Sequence, residues 1–223
     1  MGIEETGQSP GSSSCLKYSI MDYYDSIIGS YEELYGDEQL SKYMVAIRPR
    51  SLRRVLDIGC GMGLLYRHIV EVLGAAPEIY VGVDISHESL KAFRSRHGGT
   101  GIVELVAADM DYPPLRPRIA FTNVYSFTVY TCDYGDITRV KGLIDEEQLE
   151  ECAVTITCAD REPSCPEGFI EIARISRLEV LCAKKVPPGG FEPPTPRSPE
   201  TFSRVLSQAE LRRHQQNDYI EGL

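Results

Sequence analysis

Hydrophobic and polar positions follow an alternating plan through the middle of the chain. Short apolar runs at Arg54–Ile58 and Ile79–Ile85 predict two strands, and the helical spacing of Leu64–Leu73 predicts a helix between them. One more helix and two more strands are predicted further on, at Ser86–Arg96, Ile102–Ala107 and Ile119–Val129. Because crossovers between parallel strands are right-handed, this order predicts a doubly wound, mostly parallel α/β sheet.

The flanking segments carry weaker patterns. Apolar residues and tyrosines recur at three- and four-residue steps over Tyr18–Tyr43, which predicts a helix or a helix pair with breaks at Gly29 and Gly36. After the fourth strand we expect a helix, a strand and a final hairpin, at Asp145–Cys152, Val154–Cys158, and Phe169–Ala173 with Leu178–Ala183. These elements would complete a sheet of the seven-stranded type.

The two ends of the chain differ from the middle in composition. Residues 1–17 are predicted to be a disordered tail, 18–50 a helical lid and 51–185 the folded domain. Six of the 14 prolines fall between Pro187 and Pro199, so residues 186–223 are predicted to lie outside the fold. This tail resembles translated transfer RNA gene sequence, because Phe191-Glu192 can be encoded by TTC-GAA; an ordinary proline-rich linker is the alternative.

Composition and charge narrow the class of protein. The chain has 223 residues, of which 42% are hydrophobic and 25% charged, as in ordinary globular domains. A net charge of −10 argues against a general positive field for binding polyphosphate. The sequence has neither a transmembrane run nor a secretory signal, so we expect a cytoplasmic protein without membrane contact. Its seven cysteines include no Cys-x-x-Cys pair, which predicts reduced thiols and no metal site.

The strongest candidate site is a glycine turn that joins the first strand to the following helix. Gly59, Gly61 and Gly63 stand at alternate positions, where they allow positive φ and let a ligand lie against bare backbone at a helix N-terminus. Asp84 ends the second strand, 25 residues after Gly59, which suits a carboxylate that binds ribose hydroxyls. The alternative role for Asp84 is to cap the helix that begins near Ser86.

Together these residues resemble the class I S-adenosylmethionine-dependent methyltransferases, over about Tyr24–Lys185. The resemblance implies a Rossmann-like fold and S-adenosylmethionine as cofactor. It implies that Asp57 orients the methionine amino end, that Asp84 binds the ribose and that Asp109 binds the adenine amino group. The other residues it implies at the cofactor are Gly59, Gly61 and Gly63 in the turn, with Met110 offering its backbone N–H and Ile85 and Met110 walling the adenine.

Two further features bear on the cofactor. Tyr24 and Tyr31 lie in a tyrosine-rich lead-in that resembles the cover of many small-molecule methyltransferases, although they could equally form the apolar face of a packed helix. A nicotinamide dinucleotide oxidoreductase would use the same fold, but its turn reads Gly-x-Gly-x-x-Gly. Here the turn reads Gly-x-Gly-x-Gly and follows Asp57, whose charge would repel pyrophosphate.

The acceptor side carries a weaker signal. The segment after the fourth strand lacks the Asn-Pro-Pro-Tyr motif of enzymes that methylate exocyclic amines or glutamine amides, and no catalytic residue is identified. Candidate lining residues are Tyr125, Ser126, Thr128 and Tyr130. A small-molecule acceptor is favoured. The alternatives are a partner-dependent RNA or protein methyltransferase subunit, which leaves a nucleic acid substrate open, and a noncatalytic S-adenosylmethionine-binding module.

Overall fold

The fold is a single mixed sheet with helices packed on it. The computed structural model describes residues 11–48, 52–98, 101–115, 121–131, 147–158 and 160–184. Within them the strands are β1 Arg54–Ile58, β2 Ile79–Asp84, β3 Val103–Ala107, β4 Asn123–Thr131, β5 Glu151–Thr157, β6 Ile170–Ser176 and β7 Glu179–Lys184. They form a seven-stranded sheet in the order β3-β2-β1-β4-β5-β7-β6. β1 to β5 are parallel, whereas β7 runs antiparallel to both β5 and β6.

The helices precede and cross over the first strands. They are α1 Gly11–Ile27, α2 Tyr31–Ala46, α3 Leu64–Arg67, which continues as a π-helical turn over His68–Val72, and α4 His87–His97. Ser86 caps α4, because its hydroxyl accepts the backbone N–H of Ser89 at 2.9 Å. No helix among the described residues is long and apolar enough to cross a membrane.

Burial on both faces of the sheet explains why the parallel strands are apolar runs. Val55, Leu56 and Ile58 of β1 are fully buried, as expected for a strand covered on either side. Side chains of α2, α3 and α4 pack on one face, where Phe93 of α4 is fully buried. Residues of the loops, including Phe121 and Leu149, join the cluster on the other face. The carboxyl ends of β1, β2 and β3 are thereby held side by side.

The structure confirms the predicted fold class and corrects several boundaries. α1 begins at Gly11, so residues 11–17 are helical rather than part of a disordered tail. Extending an existing helix adds one hydrogen bond per residue and needs no new nucleus. The break at Gly29 is confirmed by the turn between α1 and α2, but the break at Gly36 is wrong, because Gly36 lies inside α2.

The later elements differ more from expectation. The helix predicted over Asp145–Cys152 is wrong for its described part, because residues 147–150 form a turn and loop and β5 begins at Glu151. Backbone pairing with β4 on one side and β7 on the other decides the conformation there. The final hairpin is confirmed as β6 and β7. The first ten residues and the proline-rich tail lie outside the described residues.

The expectation of reduced thiols is wrong for part of the cysteines. Cys165 and Cys182 form a disulfide that joins the loop before β6 to β7, and Cys158 is disulfide-bonded as well. Cys60 and Cys152 are free and buried. Neither the odd number of cysteines nor their spacing in the sequence indicated this disulfide. Cys165 and Cys182 meet only because of the order in which the late strands pair.

Candidate cofactor site

The glycine turn is tied to the end of the neighbouring strand. Gly59, Gly61 and Gly63 have φ of 76°, 51° and 87°. The N–H of Gly59 donates to the carbonyl of Val83 at 2.7 Å, and the N–H of Cys60 donates to the same oxygen at 3.0 Å. These bonds hold the turn against the carboxyl end of β2, as predicted for a ligand site between β1 and β2.

Two of these glycines meet different surroundings. A Cβ on Gly63 would lie 2.8 Å from the ring of Phe93, so the absent side chain lets α3 pack against α4. A Cβ on Gly61 would meet nothing within 4 Å. Gly63 therefore serves internal packing, whereas Gly61 presents bare backbone to open space, which fits the approach of a ligand.

Asp84 links the turn to the start of α4. Its Oδ2 accepts the N–H of Gly61 at 2.8 Å, and its Oδ1 accepts the N–H of Ser86 at 2.8 Å. Burial raises the pKa of Asp84, while the backbone N–H groups of Ser86, Gly61 and Ile85 act to lower it. The helix-cap alternative does not hold, since Ser86 caps α4. The Asp84 carboxylate is thus oriented at the turn by backbone donors.

Asp57 lies beneath the turn rather than at its surface. It is 3% exposed, and the hydroxyl of Tyr80 on β2 donates to its Oδ2. Burial raises the pKa of Asp57 to about 7, and the nearby Asp84 carboxylate raises it too, against the lowering effect of the Tyr80 hydrogen bond. Asp57 is therefore held inside the fold, and its indirect role toward the methionine end stays a prediction.

The third predicted group follows β3. Asp109 accepts the N–H of Asp111 on Oδ1 at 2.9 Å, and both of its oxygens accept from Lys17 Nζ of α1, at 2.9 and 2.7 Å. The loop is held beside β2, because the N–H of Ala108 donates to the carbonyl of Asp84 at 2.9 Å. The two residues predicted to wall the adenine, Ile85 and Met110, are half-buried. Met110 packs against the hydrophobic cluster that contains Phe121 and Leu149.

The first helix, α1, contacts this edge of the sheet, and α2 packs beside it. The rings of Tyr24 and Tyr31 lie 6.0 Å apart in an edge-to-face arrangement. Asp25 of α1 accepts the hydroxyl proton of Ser86, next to Asp84. Burial raises the pKa of Tyr31, and the Asp84 carboxylate contributes in the same direction. Tyr31 packs against the hydrophobic core, as the packed-helix interpretation predicts, and the role of the two tyrosines as a cover over the cofactor stays a prediction.

The acceptor-side candidates on β4 have other roles. Tyr125 is fully buried and donates to Glu151 Oε2 at 2.7 Å, and the Ser126 hydroxyl is buried and donates to the Ile58 carbonyl at 3.0 Å. Both side chains are thereby engaged inside the fold instead of lining an acceptor site. The side chains of Thr128 and Tyr130 lie outside the described part of the chain.

Sequence reasoning missed three groups at this edge. Lys17 and Asp111 contact the predicted Asp109, and Asp25 contacts Ser86 beside Asp84, but Lys17 and Asp109 are 92 positions apart along the chain. Charged residues on an N-terminal helix and in a loop are common on solvent-exposed faces. No local pattern therefore indicated that these groups meet.

Part of the chain matches a known protein family, and a curated protein is similar to it in sequence. Residues 55–143 match the methyltransferase domain family. The chain is 24% identical over 183 residues to the ribosomal RNA small subunit methyltransferase A of Dichelobacter nodosus. The aligned region covers 77% of this chain and 65% of that protein. The chain thus spans about two thirds of the length of this curated relative.

Two solved structures resemble the chain, and the first of them, with a TM-score above 0.5, supports the fold. Phosphoethanolamine N-methyltransferase 1 of Haemonchus contortus, in complex with phosphoethanolamine and S-adenosylhomocysteine, covers 97% of this chain and 57% of its own, with a TM-score of 0.52 and 12% identity. DhpI in a complex with S-adenosylmethionine covers 90% of both chains, with a TM-score of 0.49 and 16% identity. The strand order found here is accordingly that of the class I Rossmann-like methyltransferase fold.

Proposed function

Because the chain carries an S-adenosylmethionine-dependent methyltransferase domain, we propose that it transfers the methyl group to a small-molecule acceptor. The observation that carries the proposal is the position of α1, which is fastened across the loops that follow β2 and β3. Lys17 and Asp25 of α1 bond to Asp109 and Ser86, the residues that follow those strands. A covered site suits an acceptor small enough to be enclosed with the cofactor.

Each predicted site residue is assigned to one part of the cofactor. S-adenosylmethionine supplies an electrophilic methyl group on a sulfonium sulfur. We assign Asp84 to the ribose hydroxyls, because its oxygens already accept hydrogen bonds at the edge of the open turn. Asp57 acts through the turn on the methionine end, and Asp109, Met110 and Ile85 surround the adenine. Tyr24 and Tyr31 exclude water from the sulfonium.

The chemistry asks little of acid–base groups. Displacement at a sulfonium requires the nucleophile to be aligned with the leaving sulfur at close range, and holding two reactants in one site supplies most of that advantage. We assign the neighbouring rings of Tyr24 and Tyr31 to a cation–π contact, which would favour the sulfonium over its neutral product. The proposal therefore needs no dedicated general base on this chain.

A specific observation favours one alternative acceptor. The curated relative acts on ribosomal RNA, so RNA is the second candidate, either directly or with a protein partner. Against it stands the formal charge of −10, which gives no general attraction for a phosphate backbone. A local basic surface would be needed to overcome it.

Transfer of a labelled methyl group separates these acceptors. The full chain is incubated with S-adenosylmethionine tritiated on the methyl group, once with a protein-free extract of small metabolites and once with purified ribosomal RNA. We expect label in the small-molecule fraction, and loss of that label in an Asp84→Asn variant. Label in the RNA alone would contradict the small-molecule acceptor. No transfer to either pool by protein that binds the cofactor would favour a partner-dependent subunit.

A further inference from the structure

One lysine of α1 contacts the carboxylate that is assigned to the adenine amino group. The Lys17 ammonium donates to Asp109 Oδ1 at 2.9 Å and to Asp109 Oδ2 at 2.7 Å, and it also donates to Asp111 Oδ2. Burial acts to lower the pKa of Lys17, but these hydrogen bonds outweigh it and raise the pKa. The ammonium therefore stays charged at neutral pH and holds both carboxylates at once.

The Asp109 carboxylate is oriented by two donors and still has room for a third. Besides Lys17, the backbone N–H of Asp111 donates to Asp109 Oδ1 at 2.9 Å. Within the described chain, Oδ2 accepts a hydrogen bond from Lys17 alone, and the Asp109 side chain is 30% exposed. A carboxylate oxygen has two acceptor sites, so Oδ2 keeps one for a further donor. An amino group can therefore bind at Oδ2 while Lys17 stays in place.

Lys17 is itself held in place by its helix. Its side chain is only 19% exposed, and α1 has a second polar contact at this edge, because Asp25 accepts the hydroxyl proton of Ser86. Asp109 lies in the loop after β3, where without Lys17 its carboxylate would keep one hydrogen bond, from the Asp111 backbone. Ordering one side chain on binding lowers affinity by roughly two- to tenfold, and a side chain that is already held avoids this cost.

We propose that Lys17 is a positioning residue for adenine recognition, which holds the Asp109 carboxylate in the orientation that accepts the adenine amino group. The inference rests on the proposed cofactor site, since it takes Asp109 as the adenine contact. It makes α1 a part of the adenine subsite. The N-terminal helix thereby contributes to the choice of adenine over a purine that lacks the amino group.

Calorimetric titration of the full chain with two ligands tests this role. The ligands are S-adenosylhomocysteine and its deamino analogue, in which hydrogen replaces the adenine 6-amino group. We expect the wild type to prefer S-adenosylhomocysteine by about ten- to a hundredfold. Lys17→Met, which keeps the length of the side chain, should lower that preference by roughly two- to tenfold, through weaker binding of S-adenosylhomocysteine alone. Lys17→Arg, which keeps the charge, should recover most of the preference.

Two controls separate positioning from a general effect on the protein. Lys91→Met, which removes a lysine from an exposed pair with Glu88, should leave the preference unchanged. In an Asp109→Asn background, Lys17→Met should change the preference no further, because both substitutions act through the same carboxylate. Additive effects of the two substitutions would show that Lys17 acts by another route and would overturn the inference.

The remaining outcomes distinguish this inference from the proposed function. Equal weakening of both ligands in Lys17→Met would overturn the inference, because a residue that only fastens α1 does not select for the amino group. Unchanged or tighter binding of S-adenosylhomocysteine by Lys17→Met would overturn it too. If Asp109→Asn keeps the wild-type preference, Asp109 is not the adenine contact and the inference fails with that assignment. If the wild type binds neither ligand, the proposed cofactor site is contradicted as well.

Discussion

Replacing Gly61 or Gly63 with alanine should separate binding from stability, because the two glycines have similar backbones and different neighbours. A residue with a Cβ at positive φ costs roughly 1–2 kcal/mol. At Gly63 the new Cβ would also lie 2.8 Å from the fully buried ring of Phe93, and such overpacking costs about 1–3 kcal/mol. Gly63→Ala should lower the free energy of unfolding by about 2–5 kcal/mol in all.

Gly61→Ala should behave differently. Its Cβ meets nothing within 4 Å, so only the backbone penalty of roughly 1–2 kcal/mol applies to folding. The methyl group projects instead into the space assigned to the cofactor. We expect the dissociation constant for S-adenosylmethionine to rise by about tenfold or more, which corresponds to about 1.4 kcal/mol or more.

Two measurements on each variant check this contrast. Urea unfolding gives the change in stability, and calorimetric titration with S-adenosylmethionine at a temperature where both variants are folded gives the change in affinity. If Gly61→Ala binds S-adenosylmethionine as tightly as the wild type, the assignment of the open turn to the cofactor is refuted. If Gly63→Ala is as stable as Gly61→Ala, the packing of Gly63 against Phe93 does not matter for stability.

Two further changes test groups away from the turn. Lys42 is buried and lies 2.7 Å from both Glu38 and the buried Glu179, so Lys42→Met should cost about 3–5 kcal/mol of unfolding free energy in urea by removing the cation from this buried cluster, whereas exposed Lys91→Met should leave it nearly unchanged. A similar loss in both variants would contradict the importance of the buried pair. Burial raises the pKa of Glu151 to about 7 despite the hydrogen bond from Tyr125. A raised folded-state pKa means that the folded protein binds the proton more tightly, so this carboxyl lowers stability as the pH rises from about 4.5 to about 7. Glu151→Gln should reduce that fall, as measured by unfolding at about pH 5 and about pH 8, and an unchanged pH profile would count against it.

The first half of the fold was predictable because its signals are local. Buried parallel strands such as β1 appear as uninterrupted apolar runs, and the glycine turn follows β1 without a gap. Asp84 ends β2 and Asp109 lies two residues after β3, so the parallel order alone brings them to one edge. The site could therefore be outlined from spacing before any contact was known.

The second half depends on contacts between distant residues. Glu151 and Cys152 resemble the end of a helix in sequence, yet they become strand because β4 and β7 pair with them. The Cys165–Cys182 bond depends on the same late topology. Lys17 meets Asp109 only because α1 crosses the sheet edge, which no nearby residue specifies. Local periodicity carries none of this information.

Direct titration of the full chain with S-adenosylmethionine, S-adenosylhomocysteine and NAD tests the central claim. We expect the first two to bind in the micromolar range and NAD not to bind. The Asp84→Asn variant, which keeps the shape of the side chain, should bind S-adenosylmethionine about ten- to a hundredfold more weakly. Binding of NAD alone, or equal binding of S-adenosylmethionine by the wild type and Asp84→Asn, would contradict the account.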